Sequence, residues 1–495
     1  MTSANQDTVY DAIVVGGGPA GSSLGRLLAL WGHRVLLLAR NADRRRGQSE
    51  SIPPSARRLL ATIEVLDDVD RVAFAPNRGN VVWWANSAPR FEAFDRGQDG
   101  WLVFRPDLDR VLLACAQQAG VDVQIDATAL AIHRGANGLT RVDYEAAGQA
   151  RAATARFVAD CSGRTGVLAR RGLRRAEPVH RMQAYLGWWH DTTLGSSNDR
   201  TLVETYDDGW VWSLPASPAI RQVAAMVDGA SPATRGSVGE ALTTALGRTT
   251  EFRRRFRGVT LEHAWACDAS MYSAHRFHGP GFVLVGDAGC AIDPLSSFGV
   301  KKALGSAWLA AVALHTACVD PSREDLALEF FTHREQEIYE AERARTSAYA
   351  QEAFAAHGGT FWAARSAGVG AMAPRALEAS LLQRSEVAAA HQQLRSAGFL
   401  EAQTPGRLSL IPHPVVRGRE IVLDEALQFR QGPLRFALDV DLKALVGVTT
   451  HRCEVLHAHE AYCRTVAAVP LPNFLAAAAL LLAEGVLTTH ASAAQ

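Results

Sequence analysis

Residues 10–40 read YDAIVVGGGPAGSSLGRLLALWGHRVLLLAR. An apolar run at 12–15 passes directly into Gly16-x-Gly18-x-x-Gly21. An apolar-periodic stretch then reaches Leu30, Gly32 stops it, and a second apolar run fills 35–38. Strand, glycine turn, helix and second strand in this order leave few folds open, because two parallel strands need a crossover helix. Gly16 permits the tight turn, Gly18 lets a pyrophosphate approach the backbone, and Gly21 lets the helix pack on the strand. Gly16, Gly18, Pro19, Ala20 and Gly21 are therefore read as one dinucleotide-binding turn. At the end of the second strand, where an acid holding the adenosine ribose is expected, stand Ala39 and Arg40. The ribose contact is left open, and Arg40 is a candidate to stack on an adenine or meet a phosphate.

A second such turn lies more than 250 residues later, in GFVLVGDAGCAIDPLSSFGV at 281–300. The apolar run at 282–285 is long enough for a buried strand. Gly286-Asp287 turns the chain, Asp293-Pro294 turns it again, and Ser296 to Gly299 lead into an apolar-periodic run at 300–311. An aspartate there can accept hydrogen bonds from sugar hydroxyls. The helix start offers unpaired N–H groups and partial positive charge. Phe157 to Arg164 form a third strand entering a polar glycine turn, so the first domain is interrupted and resumed.

Around these turns the chain reads as ordinary globular protein. Its 495 residues exceed one simple core, and 48% hydrophobic with 21% charged residues is an unremarkable balance. Zero net charge gives no electrostatic case for nucleic acid or an acidic membrane surface. Seven scattered cysteines with no Cys-x-x-Cys pair imply neither a disulfide framework nor a zinc ribbon, and a reducing cytoplasm is expected. No basic-then-apolar leader is read at the start, and the late apolar run at 475–482 is too short to span a bilayer. Arg44 to Arg46 either meet phosphates or form a solvated loop. His451, Cys453, His457, His459 and Glu460 crowd one segment at a spacing that matches no standard metal site, so no metal is expected. Eight of the eleven tryptophans fall between Trp83 and Trp265, which suits a sheet over an aromatic-lined cavity as well as plain sheet packing.

Five segments in order, VVGGGPAG, GQSESIPPSARRLL, FRPDLDRVLLACAQQAG, ADCSGRTGVLAR and LVGDAGCAIDPLSSFGVKKAL, resemble the FAD-dependent monooxygenases of the para-hydroxybenzoate hydroxylase type. The resemblance is closer to their branch that includes flavin-dependent halogenases, and it covers residues 9–345. It implies an α/β fold: a discontinuous Rossmann-like FAD domain (9–80, 101–180, 271–345), an inserted mixed β-sheet substrate domain (81–100, 181–270) and a mainly helical C-terminal region (346–495). It implies FAD with its pyrophosphate over Gly16 to Gly21, with Ser49, Ser51 and Arg105 along the cofactor. Gly286 and Asp287 would hold the ribityl chain. The helix after Pro294, with Gly299, Val300 and Lys301, would face the isoalloxazine. NADH or NADPH is the implied reductant.

Within that family the substrate-side residues divide the reading. GWVWSLP at 209–215 resembles the halogenases' Trp-x-Trp-x-Ile-Pro motif, with Leu214 for Ile. Those enzymes carry the halogen on a lysine in an earlier region, and this chain has no lysine before Lys301. Arginine stays protonated and cannot take that part. The expectation is hence a monooxygenase, similar to the flavoproteins that hydroxylate a tryptophan of a partner polypeptide during tryptophylquinone biogenesis, in quinohemoprotein amine dehydrogenase maturation. Trp210, Trp212 and Phe298 are its substrate-cavity candidates. Halogenation, isoprenoid double-bond reduction and a non-catalytic flavoprotein assembly role stand as alternatives.

Overall fold

The structure is a computed structural model that describes residues 9–40, 48–94, 98–177, 181–190, 199–217, 219–229, 237–366, 378, 381–402 and 409–490. Gly47 and the three arginines at 44–46 lie outside the described residues. The chain divides into two compact units, 1–370 and 371–495.

In the first unit, Val9–Val15 is the central strand of a sheet and pairs in parallel with Val35–Ala39 on one side and Gln149–Asp160 on the other. Phe282–Leu284 extends the sheet beyond Gln149–Asp160, and Asp122–Ile125 extends it beyond Val35–Ala39. The first four are apolar where they cross the core, as a sheet covered on both faces requires, while Asp122–Ile125 is an edge strand with no buried residue. The register sets the site: Val15 lies opposite Asp160, and Asp160 opposite Leu284. Three strands distant in sequence therefore end side by side. The strand order reverses between Val9–Val15 and Gln149–Asp160, the place where open α/β sheets hold ligands. The helix Pro19–Leu30 packs on the helix Gly299–Val319. The latter is long and apolar enough to cross a membrane, yet its side chains are mostly buried in this unit as a core helix.

A second sheet of seven strands runs in the order Thr260–Asp268, Met182–His190, Ile220–Asp228, Gly209–Ser217, Thr201–Tyr206, Gly79–Trp83 and Arg90–Ala93. Period-two alternation gives it two apolar faces. One carries Val81, Trp83, Tyr185, Trp189 and Val211 and packs under the helices Val238–Arg248 and Glu251–Arg255. The other carries Val82, Trp84, Met182, Trp210 and Trp265 and meets Ala350, Ala353, Phe361 and Trp362. The helices Glu324–His357 and Thr360–Ser366 supply that contact, and the first continues past residue 346, where the sequence reading divides the chain. The second unit has its own core, built from the helices Ser385–Ser396, Leu442–Val448, Val455–Thr465 and Leu471–Ala483 together with short antiparallel strands.

One buried acid ties the second sheet to its covering helices. Glu204, 5% exposed, accepts hydrogen bonds from the backbone N–H groups of Thr250, Glu251 and Phe252 at 2.6–3.0 Å. These are orphan donors at the start of Glu251–Arg255, and a carboxylate is the side chain that satisfies several at once. Glu204→Ala should lower stability by about 2–4 kcal/mol, read as a fall in the urea midpoint with an unchanged slope.

Candidate functional site

The site lies where the strands Val9–Val15, Gln149–Asp160 and Phe282–Leu284 end. Gly16 has φ +117°, and a Cβ there would lie 2.4 Å from the carbonyl oxygen of Cys161. A Cβ on Gly21 would lie 1.8 Å from the carbonyl oxygen of Gly16. Neither position tolerates a side chain without moving backbone. Gly18 takes an extended conformation as the residue before the helix Pro19–Leu30, with no side chain capping that helix, and Pro19 fills its first turn. The first-turn N–H groups are thus left for a ligand, and the glycines keep the backbone bare around them, as a pyrophosphate needs. Gly17 approaches Ala39, whose Cβ is 2.7 Å from where a Gly17 Cβ would be, so the turn is pressed against the end of the second strand. Arg40 is exposed and donates to the hydroxyl of Thr165 at 3.1 Å, reaching across to the third turn.

That third turn is fixed by Asp160, which is wholly buried. One carboxylate oxygen accepts from the N–H and hydroxyl of Ser162, at 3.0 and 2.6 Å, and the other from the N–H of Leu168 at 2.7 Å. Gly286, with φ +64°, packs against Ala20, so the late Gly-Asp turn stands beside the first helix. Its N–H donates to Ser306 at 2.8 Å, and the Tyr272 hydroxyl donates to the Asp287 carbonyl at 2.6 Å. The Asp287 carboxylate is one-third exposed. Asp293 accepts from Leu295 N–H at 2.9 Å to form the turn Pro294–Ser296. Gly299 opens the next helix without a side-chain cap, and a Cβ on it would meet nothing within 4 Å. Val300 is buried beneath it. Lys301 donates to the Ser55 hydroxyl at 2.9 Å, with its ammonium 4.9 Å from the Phe298 ring centre.

The remaining predicted residues fall into two groups. Ser49 is buried, with its backbone held by the Gln222 amide and its hydroxyl without a partner; the Ser51 hydroxyl accepts from Asn77 at 2.6 Å. Arg105 binds Glu50 at 2.6 Å and Asp109 at 3.1 Å. Its guanidinium is committed to two carboxylates, and what the structure shows it doing is bracing the strand Ser49–Ile52. Trp210 is 2% exposed and packed in the sheet's aromatic face, while Trp212 is partly buried on the same face. Clefts of about 430 and 500 Å³ flank the 79–93 hairpin, lined by Trp84 and Arg90 in one and by Trp83 and Phe91 in the other. Neither is lined by Trp210, Trp212 or Phe298.

Lys302 is a residue that the sequence reading leaves out of the site, since a basic pair at a helix start suits exposure as well as a turn toward a cofactor's phosphate or carbonyl groups. It is 3% exposed. Its ammonium lies 3.4 Å from Asp287 and donates to the Cys290 carbonyl, near the wholly buried Glu335. The late histidine segment does not gather: His457 pairs with Glu454 and His459 meets the Val469 carbonyl. Asp11, His33 and Cys318 bring ligand-type atoms within 4.8 Å of one another at the opposite end of the central strand. There Asp11 already accepts from Arg34 N–H, and His33 is bonded to His315.

The bare glycine turn, the open helix starts and the exposed Asp287 fit an extended dinucleotide. Comparison with known proteins agrees. The family model described as "FAD binding domain" matches residues 9–336, and the chain belongs to that family; its cofactor is FAD. It is 29% identical over 333 residues to a tryptophan 2-halogenase of Chondromyces crocatus, covering 64% of this chain and 63% of that protein. It is 26% identical over 363 residues to a 1H-pyrrole-2-carbonyl-[peptidyl-carrier protein] chlorinase of Pseudomonas fluorescens, covering 66% of this chain and 80% of that protein. The chain thus spans less than two thirds of the first of these relatives. Among solved structures, the flavin-dependent halogenase CmlS matches 99% of this chain and 97% of its own at TM-score 0.77 and 21% identity. The peptidyl tryptophan dihydroxylase QhpG matches 97% and 100% at TM-score 0.68 and 20% identity. The last two show the fold, an α/β FAD-binding fold with mixed sheets and a helical C-terminal region. Fold, family and site together define a FAD-dependent member of the monooxygenase and halogenase superfamily. The sequence relatives favour the halogenase branch, which the sequence reading ranks below hydroxylation.

Gly21→Ala should cost FAD affinity about a hundredfold or more, because the new methyl collides with the Gly16 carbonyl; titration of the apoprotein by FAD fluorescence measures it. Arg40→Ala should weaken FAD about tenfold, and an unchanged dissociation constant removes Arg40 from the site.

Proposed function

We propose that the protein oxidatively substitutes an electron-rich aromatic ring, of the indole or pyrrole class, with halogenation as the reaction its relatives support best. One observation carries the assignment to aromatic chemistry. Trp84, Trp210 and Trp265 are buried in one sheet face, while Trp212 on that face and Leu295, in the turn that leads into the ring-facing helix, pack against them and stay only partly buried. An apolar, aromatic wall beside the cofactor's reactive end is what holds a flat substrate and keeps water out.

Bound at this site, FAD supplies the activation of molecular oxygen. The chain's part is to bind and orient. The Gly16–Gly21 turn and the first helix take the pyrophosphate, and Asp287 takes sugar hydroxyls. The uncapped start of Gly299–Val319 offers N–H groups to an electron-rich ring edge. Of the chain's three lysines, only Lys301 combines a place at this helix start with a side chain outside the buried cluster. Lys301 is accordingly the candidate to stand in for the carrier lysine that halogenases hold in an earlier region, where this chain has none.

A second reading is hydroxylation of a tryptophan in a partner polypeptide, with NADH or NADPH as reductant. The absence of any lysine from residues 1–300 favours it, as does the likeness to QhpG along nearly the whole of both chains. One assay separates the two. FAD-loaded protein is given reduced nicotinamide or a flavin reductase, oxygen, bromide or chloride, and free tryptophan, a carrier-bound pyrrole or a tryptophan peptide. Addition of a halogen, lost in Lys301→Met, is the expected result. Addition of oxygen alone, retained in Lys301→Met, establishes the second reading. Reductant consumption without substitution of any ring defeats both.

A further inference from the structure

We propose that Lys302 is a positioning residue of the flavin site: its buried ammonium holds the Asp287 carboxylate in place for FAD and supplies fixed positive charge that favours the reduced cofactor. The inference rests on FAD occupying the site beside Asp287.

The geometry is specific. Lys302 sits in the first turn of Gly299–Val319 with its side chain turned into the protein, 3% exposed. A lysine is among the costliest residues to bury, and it is retained inside a fold only with partners. Its partners here are two points on one short loop, the Asp287 carboxylate at 3.4 Å and the Cys290 carbonyl. One ammonium therefore spans the loop from the residue that faces the ligand to the strand that follows it. The same helix holds the loop a second time, because the Ser306 hydroxyl accepts from Gly286 N–H at 2.8 Å. Tyr272 donates to the Asp287 carbonyl, which fixes the backbone, and among the described residues it is Lys302 that meets the carboxylate itself. Asp287 is one-third exposed, so one face of it meets Lys302 while the rest stays open to the site.

The charge is equally well defined. Burial by itself would push the Lys302 ammonium toward neutrality, but the Asp287 and Glu335 carboxyls beside it and the Cys290 carbonyl it donates to outweigh burial and hold it protonated. Burial pushes the Glu335 carboxyl up, with Lys302 pulling it back. Burial likewise takes the Cys290 thiol to about 12, so it carries no charge at neutral pH. The loop thus offers the cofactor a fixed cation paired with an acid one-third exposed. A reduced flavin bears more negative charge than an oxidised one, and in a water-poor wall a fixed cation is screened little.

The test uses the full chain. FAD dissociation constants and the two-electron midpoint potential are measured for the wild type, Lys302→Met and Glu335→Gln. Lys302→Met is expected to weaken FAD about tenfold. Its midpoint potential should fall by ~30 mV, the equivalent of tenfold weaker relative binding of the reduced form. Glu335→Gln, which leaves the Asp287 contact intact, should change affinity less than about twofold. If Lys302→Met does not fold, Lys302→Gln keeps donors and removes only the charge, and the same fall in potential is expected. Affinity and potential unchanged in the folded lysine variant overturn the proposal, as does an equal loss of affinity in Glu335→Gln, which would make the cluster mere packing. Failure of the flavin reading itself looks different: the wild type then takes up no FAD.

Discussion

The closest approach in the site is backbone against backbone. Gly16 stands over the Cys161 carbonyl and Gly21 over the Gly16 carbonyl, each at a distance that leaves no room for a Cβ. This contact exists because parallel pairing ends Val15 and Asp160 at the same level, so the two chains leave the sheet together. The bare helix start, the reach of Arg40 to Thr165 and the packing of Gly286 on Ala20 all follow from it. The glycines cost conformational entropy in the unfolded chain, and what they gain is a backbone surface that phosphate oxygens can reach.

Asp160 shows how the site is held without touching it. Both its carboxylate oxygens are used on the loop from Ser162 to Leu168, inside a core with no water to spare for them. A buried carboxylate is tolerable only when its lone pairs are filled by donors, and three local donors do so here. Arg105 works in a similar way on the other side, gripping Glu50 and Asp109. The site's rigidity is built from charged groups facing inward, while the surface toward the ligand is mostly backbone.

Much of this was legible in residue order. The glycine spacing at 16–21, the Gly-Asp turn at 286–287 and the Pro294 turn each carry a local conformational demand that few residues meet, so their positions could be read directly. Pairing across long loops could not. The strand Gly79–Trp83 joins Thr201–Tyr206 in parallel, and nothing in either segment names the other. The aromatic pattern left two readings open, cavity lining and sheet packing. Trp210 sits at 2% exposure in the sheet core, because a tryptophan on a covered sheet face packs as readily as it lines a cavity. The resemblance places Arg105 along the cofactor; its partner Glu50, 55 residues away in sequence, shows only in the fold.

Lys301 and Lys302 make the same point within a single turn of helix. Successive residues of an α-helix point about 100° apart, so two identical side chains leave the backbone in different directions. One reaches out past Phe298 to Ser55, and the other goes inward to Asp287 and Cys290. In sequence they stand together as a basic pair at a helix start, where the dipole disfavours cations, and the resemblance singles out Lys301 alone. The fold gives each a reason to be there. The inward lysine is offset by acids and cannot reach a substrate without breaking the loop it holds. The outward one is an amine beside the helix end that faces the cofactor. On the proposed reading, which atom is added to the aromatic ring turns on that second amine, because the cofactor site and the aromatic wall would serve oxygen and halogen transfer alike.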